Sequence, residues 1–238
     1  MSRIGVFGGM GPSATVDFLD KLVKLTPAVR DQDHLPVIVA SLPHTHDRSS
    51  AILGHGRDPL PQLLAGIEVL NQAAVGVIAI PCNSSHHWFD EMSSSSKVPL
   101  LHIAKACVEA ISPTGVSRVA ILATRGALAS GFYQRELRSR GIDFMLPDPE
   151  DGQNNVDGCI REIKAGDLAA GGQHLTEACR EAARQGATTI IMGCTEIPIA
   201  SRYADVSGLG LIDSSLELAR ASVAFALARG WNRPGWDS

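Results

Sequence analysis

The 238-residue chain has no run approaching the roughly 18 uninterrupted apolar residues that a membrane span requires. Its opening, "MSRIGVFGGM", has no extended apolar stretch behind a cationic start. These absences argue against a membrane protein and against a secretory leader, so a cytoplasmic location is expected. Charge of one sign is also missing: 21 Lys and Arg stand against 25 Asp and Glu, for a net charge of −4, and the charges are scattered. Without a basic stripe or a polybasic arm, neither nucleic acid nor a membrane surface is an expected partner. Five cysteines, an odd count in a chain of this length, do not suggest a disulfide framework and read as reduced thiols. What is left is a soluble globular protein, 45% hydrophobic, with ample material for a packed core in one large domain or two small ones. Small-molecule chemistry is the function class that survives.

Short apolar runs alternate with amphipathic stretches. Residues 4–7, 37–42, 77–80, 100–103, 119–122, 190–192 and 209–212 read as strands, and residues 15–25, 61–73, 103–111, 132–140 and 168–185 carry apolar side chains at helical spacing. Such alternation predicts an α/β fold of mostly parallel sheets flanked by helices, with ligands bound beyond the carboxyl ends of the strands.

The chain also repeats itself. "SRIGVFGGMGPSATVDFLDKL" from Ser2 lies over "SRVAILATRGALASGFYQREL" from Ser117, which matches Gly11 with Gly126, Thr15 with Ser130, Phe18 with Tyr133 and Leu22 with Leu137. With a small shift in offset, Cys82 falls over Cys194, and "VPLLHI" from Val98 over "LGLIDSS" from Leu209. A unit this long is no solenoid repeat. It predicts two pseudosymmetric α/β lobes facing each other across a cleft that holds the active site. The first lobe is expected to comprise residues 1–97 plus 209–238, the second residues 98–208.

The two cysteines stand at matched places. "GVIAIPCNSSHHW" and "TTIIMGCTEIP" each run from a buried strand into a cysteine and then into side chains that form hydrogen bonds. A single cysteine at a strand end is most often an inert core residue. A duplicated pair, each trailed by polar groups, points instead to chemistry on one ligand approached from two sides. Inverting a stereocentre next to a carboxylate requires a base on one face and an acid on the other, and a thiolate and a thiol supply both near neutral pH. Asn83, Ser84, Thr195 and the backbone N–H groups opening the following helices can hold the carboxylate and stabilise the charge that develops on it. Cys107, Cys159 and Cys179 lack such company and read as structural.

Six motifs then carry a resemblance: "GGMGPSAT" (8–15), "DRSSAILG" (47–54), "IPCNSSHHW" (80–88), "LATRGALASGFY" (122–133), "IKAGDL" (163–168) and "GCTEIP" (193–198). Together, in register from Ile4 to about Ser214, they resemble the cofactor-independent aspartate/glutamate racemase family, closest to the aspartate racemases; Glu196 stands where glutamate racemases usually carry histidine. The resemblance implies two lobes, a homodimer, no pyridoxal phosphate and no metal, with an acidic amino acid as the small-molecule partner. It implies that Cys82 and Cys194 are the catalytic acid/bases and that Arg48 and Lys164 surround the distal carboxylate. It further implies that Asn83, Ser84, Thr124 and Thr195 hold the α-carboxylate and amino group, with Met10, Ser85 and Glu196 completing the substrate site. A guanidinium's planar fork suits a carboxylate, which gives Arg48 a physical reason as well.

The chain departs from the family pattern in two places. Ser84 replaces the common threonine and keeps the hydroxyl. In "LPHTHDR", His44 and His46 replace the usual glutamine and proline just before Arg48, where the side-chain carboxylate is to be recognised, so the choice among aspartate, glutamate and other acids stays open; either histidine reads equally well as a solvated loop residue. Rival readings are weaker. "GMGPSA" (9–14) fits a dinucleotide fingerprint, but the second strand ends in Pro43 and His44 rather than in an acid. Cys82, His86 and His87 are poorly spaced for zinc. A two-lobed binding protein for an acidic amino acid, and a maleate-type isomerase of the same superfamily, both remain; Cys82 argues against the related decarboxylases, which lack the first cysteine.

Overall fold

The apolar runs form two sheets in a computed structural model that describes residues 2–111 and 118–232. Ser117, one anchor of the repeat, and the last residues of the first expected lobe lie outside the described residues. In the first sheet β1 (Ile4–Gly8) lies between β2 (Val37–Ser41) and β3 (Val77–Ala79). In the second, β4 (Arg118–Ala123) lies between β5 (Asp143–Met145) and β6 (Thr189–Gly193), with β7 (Gly210–Asp213) outside β6. All these strand pairs are parallel. Helices α1 (Pro12–Leu25), α2 (Arg48–Ile52), α3 (Leu60–Gln72), α4 (Phe89–Ser95) and α5 (Ile103–Ile111) accompany the first sheet in sequence. Helices α6 (Arg125–Ser130), α7 (Phe132–Ser139), α8 (Asp151–Ala165), α9 (Leu168–Arg184), α10 (Ile197–Ala200) and α11 (Ser214–Leu227) accompany the second.

The strand orders β2-β1-β3 and β5-β4-β6 match, as a duplicated unit requires. Matched residues also make the same contacts: Thr15 Oγ1 donates to Gly11 O and Ser130 Oγ donates to Gly126 O, both at 2.9 Å. Phe18 and Tyr133 are both fully buried. The fourth strand position differs between the lobes. Residues 100–103, expected as a strand, contribute only an isolated parallel bridge from Leu100 to Ile78, because Ile103 already opens α5. That bridge places Leu100 with the first sheet, while pairing with β6 carries residues 210–213 into the second, so strand pairing does not follow the lobe limits drawn at 97/98 and 208/209. Beyond β7, α11 crosses back and packs its Leu218, Ala219 and Val223 with Ile4, Val6 and Phe18.

Strands β1 and β3 are buried on both faces, as expected where helices cover a parallel sheet on each side, while the edge strand β2 leaves Val39 and Ser41 exposed. Ile4 and Val6 face α1 and α11, whereas Phe7 faces Leu63, Ile67 and Leu70 of α3. Gly66 makes the close approach of α3 possible, since a Cβ there would lie 2.2 Å from Phe7 Cζ. Among the described residues no helix is long and apolar enough to cross a membrane.

Candidate active site

The two cysteines stand just past the carboxyl ends of equivalent strands, Cys82 beyond β3 and Cys194 directly after β6. Both are buried and unbridged. A single cavity of about 50 Å³ between the lobes is lined by both, and by Met10, Arg48, Asn83, Ser84, Thr124, Lys164, Thr195 and Glu196. Of the expected site residues only Ser85 is missing from its wall. Ser85 Oγ donates to Cys82 O at 2.7 Å, and the ring Nδ1 of buried His86 lies 3.0 Å from the same carbonyl, so both side chains fix the turn that presents Cys82. Among the described residues no three His, Cys, Asp or Glu side chains gather as a metal site.

Asn83 is held from behind by the other lobe. Its Oδ1 accepts from Tyr133 Oη at 2.5 Å, and its Nδ2 donates to Ser214 Oγ at 3.0 Å, which in turn donates to Met192 O at 2.7 Å. An amide has two N–H donors, so one Nδ2 hydrogen is left for the cavity. Ser84 Oγ and Thr124 Oγ1 meet across the cleft at 3.0 Å, and Thr124 Oγ1 also accepts from Ala127 N, capping α6.

Arg48 opens α2, with Asp47 as its N-cap through a bond from Ser50 N. Its Nη1 donates to Thr45 O and His46 O, both at 3.0 Å, while its buried Nε has no hydrogen-bond partner among the described residues. A buried guanidinium N–H without an acceptor is costly unless a ligand supplies one. The side chains of His44 and His46 do not line the cavity. The loop meets Arg48 through the backbone carbonyls of Thr45 and His46. Gln62 clamps the loop, accepting from His46 N at 2.7 Å and donating to His44 O at 3.2 Å. Lys164 lies in the last turn of α8, which ends at Gly166 with φ +90°, a left-handed conformation that favours glycine.

Cys194 has a carboxylate beside it. Cys194 Sγ donates to Glu196 Oε2 at 2.9 Å, and Thr195 Oγ1 donates to the same oxygen at 3.3 Å. Burial, followed by the Glu196 carboxylate, pushes the Cys194 thiol well above its ordinary value, with Lys164 pulling the other way. Burial draws Lys164 down, but Glu196, Cys194, Asp47 and Cys82 outweigh it and the net shift is upward. Asp47 is instead lowered on balance: burial raises it, but bonds from Ser50 and the charges of Arg48 and Lys164 outweigh that. Cys159 and Cys179 pack in the core of the second lobe and are pushed up by burial to about 12 and about 11, and Cys107 is raised by burial as well.

Asp47 and Ser49 also line the cavity and were not among the residues singled out from sequence, although both sit in the "DRSSAILG" motif. Ser49 Oγ accepts from Gly126 N at 3.0 Å, and a Cβ at Gly126 would lie 2.6 Å from that oxygen, so this contact between the lobes needs glycine. Tyr133, Ser214 and Gln62 belong to the supporting layer. Tyr133 was legible only as a partner of Phe18 in the repeat.

The family model for Asp/Glu/hydantoin racemases matches residues 7–221. The broad-specificity amino-acid racemase RacX of Bacillus subtilis is 30% identical over 229 residues, spanning 94% of this chain and 98% of its own length. The Picrophilus torridus aspartate racemase superposes with a TM-score of 0.85 at 28% identity, covering 95% of this chain and 94% of that one. The fold is also that of the Francisella tularensis glutamate racemase solved with D-glutamate, with a TM-score of 0.71 at 18% identity over 97% of this chain and 82% of the other. With its paired parallel sheets and a polar cavity between them, the chain belongs to the Asp/Glu/hydantoin racemase family.

Proposed function

We propose that this racemase inverts the α-carbon of an acidic amino acid, aspartate first, by moving protons between Cys82 and Cys194 without an organic cofactor or a metal. The observation that carries this reading is the one cavity that joins both cysteines to Arg48 and Lys164. The substrate's α-carboxylate takes the free Nδ2–H of Asn83 and the hydroxyls of Ser84, Thr124 and Thr195. Its distal carboxylate takes Arg48 Nε and the Lys164 ammonium as charge-assisted donors.

In one direction a thiolate at position 82 removes the α-proton. The C–H electron pair moves onto the α-carboxylate, where the surrounding donors stabilise it, and the Cys194 thiol then delivers its proton to the opposite face. Burial and Glu196 keep Cys194 protonated, which suits it as the acid. In the reverse direction Cys194 is the base: the forward turnover has left it as the thiolate, which Lys164 steadies, and has left Cys82 as the thiol that delivers the proton. Each turnover leaves the proton on the other cysteine, and no further reactant is consumed.

The test is a chiral assay of the purified protein with L-aspartate, D-aspartate, glutamate and maleate. Formation of the opposite aspartate enantiomer, unaffected by chelators and carbonyl reagents, is the expected result. Aspartate binding without α-proton exchange would leave a two-lobed binding protein, and fumarate from maleate with inert aspartate would make the chain a maleate-type isomerase; either overturns the proposal.

A further inference from the structure

A second, larger chamber of about 610 Å³ adjoins the catalytic cavity and shares Arg48, Lys164 and Glu196 with it. Beyond that shared wall its lining turns apolar, with Pro12 and Pro43 from the first lobe and Ile163, Leu168 and Ile199 from the second. The catalytic cavity itself, about 50 Å³, holds only a few waters' worth of space, whereas the chamber is in the size range of ligand pockets. Aspartate, ending at the Arg48–Lys164 wall, makes no use of it.

A further pocket of about 530 Å³ also borders the catalytic cavity, sharing Asp47, Ser49, Thr124 and Lys164 with it. Its walls carry Arg125, Arg161 and Asp157, a polar route suited to a charged amino acid. The more apolar chamber instead lies beyond Arg48 and Lys164, where a longer side chain would extend from the catalytic cavity.

We propose that the chamber is an extended side-chain subsite that admits linear α-amino acids with aliphatic stems longer than aspartate's, so that the enzyme also racemises substrates of the norleucine class. The α-carbon stays between Cys82 and Cys194 with its carboxylate on Asn83, Ser84, Thr124 and Thr195. The stem passes the Arg48–Lys164 wall and lies against Ile163, Leu168 and Ile199. The broad-specificity activity named for the Bacillus relative is consistent with a subsite of this kind. This inference rests on the two-thiol racemase reading, and aspartate serves as the control that separates the two.

The experiment measures kcat/KM for 2-aminobutyrate, norvaline, norleucine and aspartate in the full chain and in Leu168→Trp and Ile199→Trp, either of which puts an indole into the chamber at the wall the stem would use. Each methylene buried against the apolar wall is expected to raise kcat/KM about fourfold. Both variants should lower norleucine turnover at least about tenfold and leave aspartate within about twofold. Active aspartate turnover with no gain along the linear series would overturn the subsite alone. Equal loss of aspartate and norleucine in both variants, at unchanged unfolding midpoints, would make the chamber an access path and overturn it too. No turnover of any substrate would overturn the racemase reading together with the subsite.

Discussion

Tyr133→Phe removes one hydroxyl from a fully buried ring and tests how the second lobe holds Asn83. The ring volume is kept, and phenylalanine is the residue at the matched position of the first half, Phe18, so no cavity opens and the helix packing should survive. What is lost is the donor to Asn83 Oδ1, in a side chain only 4% exposed. Leaving a buried acceptor unsatisfied costs about 1–3 kcal/mol, and that is the expected fall in unfolding free energy in urea. The effect on catalysis is smaller than deleting an oxyanion donor outright, which costs about 10²–10³ in kcat, because Asn83 Nδ2 is still anchored by Ser214. A loosened aim should lower kcat about tenfold while KM for aspartate moves less than about twofold. The assay is steady-state racemisation by chiral chromatography beside equilibrium unfolding. An unchanged kcat with the expected loss of stability would refute the role given to Asn83, and unchanged stability would refute the claim that its carbonyl depends on Tyr133.

Gln62→Ala should free the loop that steers Arg48; since one such bond is worth about 1 kcal/mol, aspartate KM is expected to rise about fivefold with kcat and neutral substrates little affected, and an unchanged KM would count against the clamp. Lys21→Met removes the ammonium that lies 2.5 Å from Asp17 and 2.7 Å from Asp213 and joins α1 to the end of β7, leaving Asp17 with Arg202 at 3.3 Å and Asp213 with the N–H groups of Ser215 and Leu216. Urea unfolding should show a loss of about 3–5 kcal/mol, largely restored by adding Asp17→Asn and Asp213→Asn, and a loss under about 1 kcal/mol would contradict a desolvated pair. Burial lowers His86 to about 4, and burial together with His86, Lys105 and Arg135 lowers His102 to about 3, against 6.5 for a free histidine. Above 6.5 neither state is protonated and there is no penalty. As pH falls below it the unfolded chain takes up protons first, so stability declines until about pH 4, by about 3 kcal/mol for His86. His86→Gln should flatten that decline in urea titrations from pH 7 to 4.5, and an equally steep decline in the variant would place its cause elsewhere.

Much of the fold was legible because buried parallel strands leave plain apolar runs. Six of the seven strands correspond to such runs, and β5 was missed because Asp143–Met145 is short and half exposed at a sheet edge. Residues 100–103 have the same apolar content as a strand, but there the chain makes one bridge and turns into α5. Helix α8 escaped notice because Gly152, Asn154, Asn155 and Gly158 dilute its pattern; Gly158 is there to let His174 approach, where a Cβ would lie within 2.8 Å. In the site, residues that follow the cysteines in sequence were readable from local motifs. Groups that act from the far lobe, such as Tyr133 and Ser214 on Asn83, are joined to it only by folding. The histidines before Arg48 show the same limit, since sequence marks a change of side chain while the loop reaches Arg48 through its carbonyls.

The two-thiol mechanism is tested most directly by release of α-deuterium from 2-deuterated L- and D-aspartate, measured separately in Cys82→Ser and Cys194→Ser. A serine hydroxyl is too weak an acid to replace either thiolate near neutral pH, so neither variant should racemise. By resemblance to the family, Cys194 serves the L enantiomer and Cys82 the D. The account therefore predicts that Cys82→Ser releases deuterium slowly from L-aspartate alone and Cys194→Ser from D-aspartate alone. Racemisation at the wild-type rate by either single variant, or equal release from both enantiomers in both variants, would contradict it.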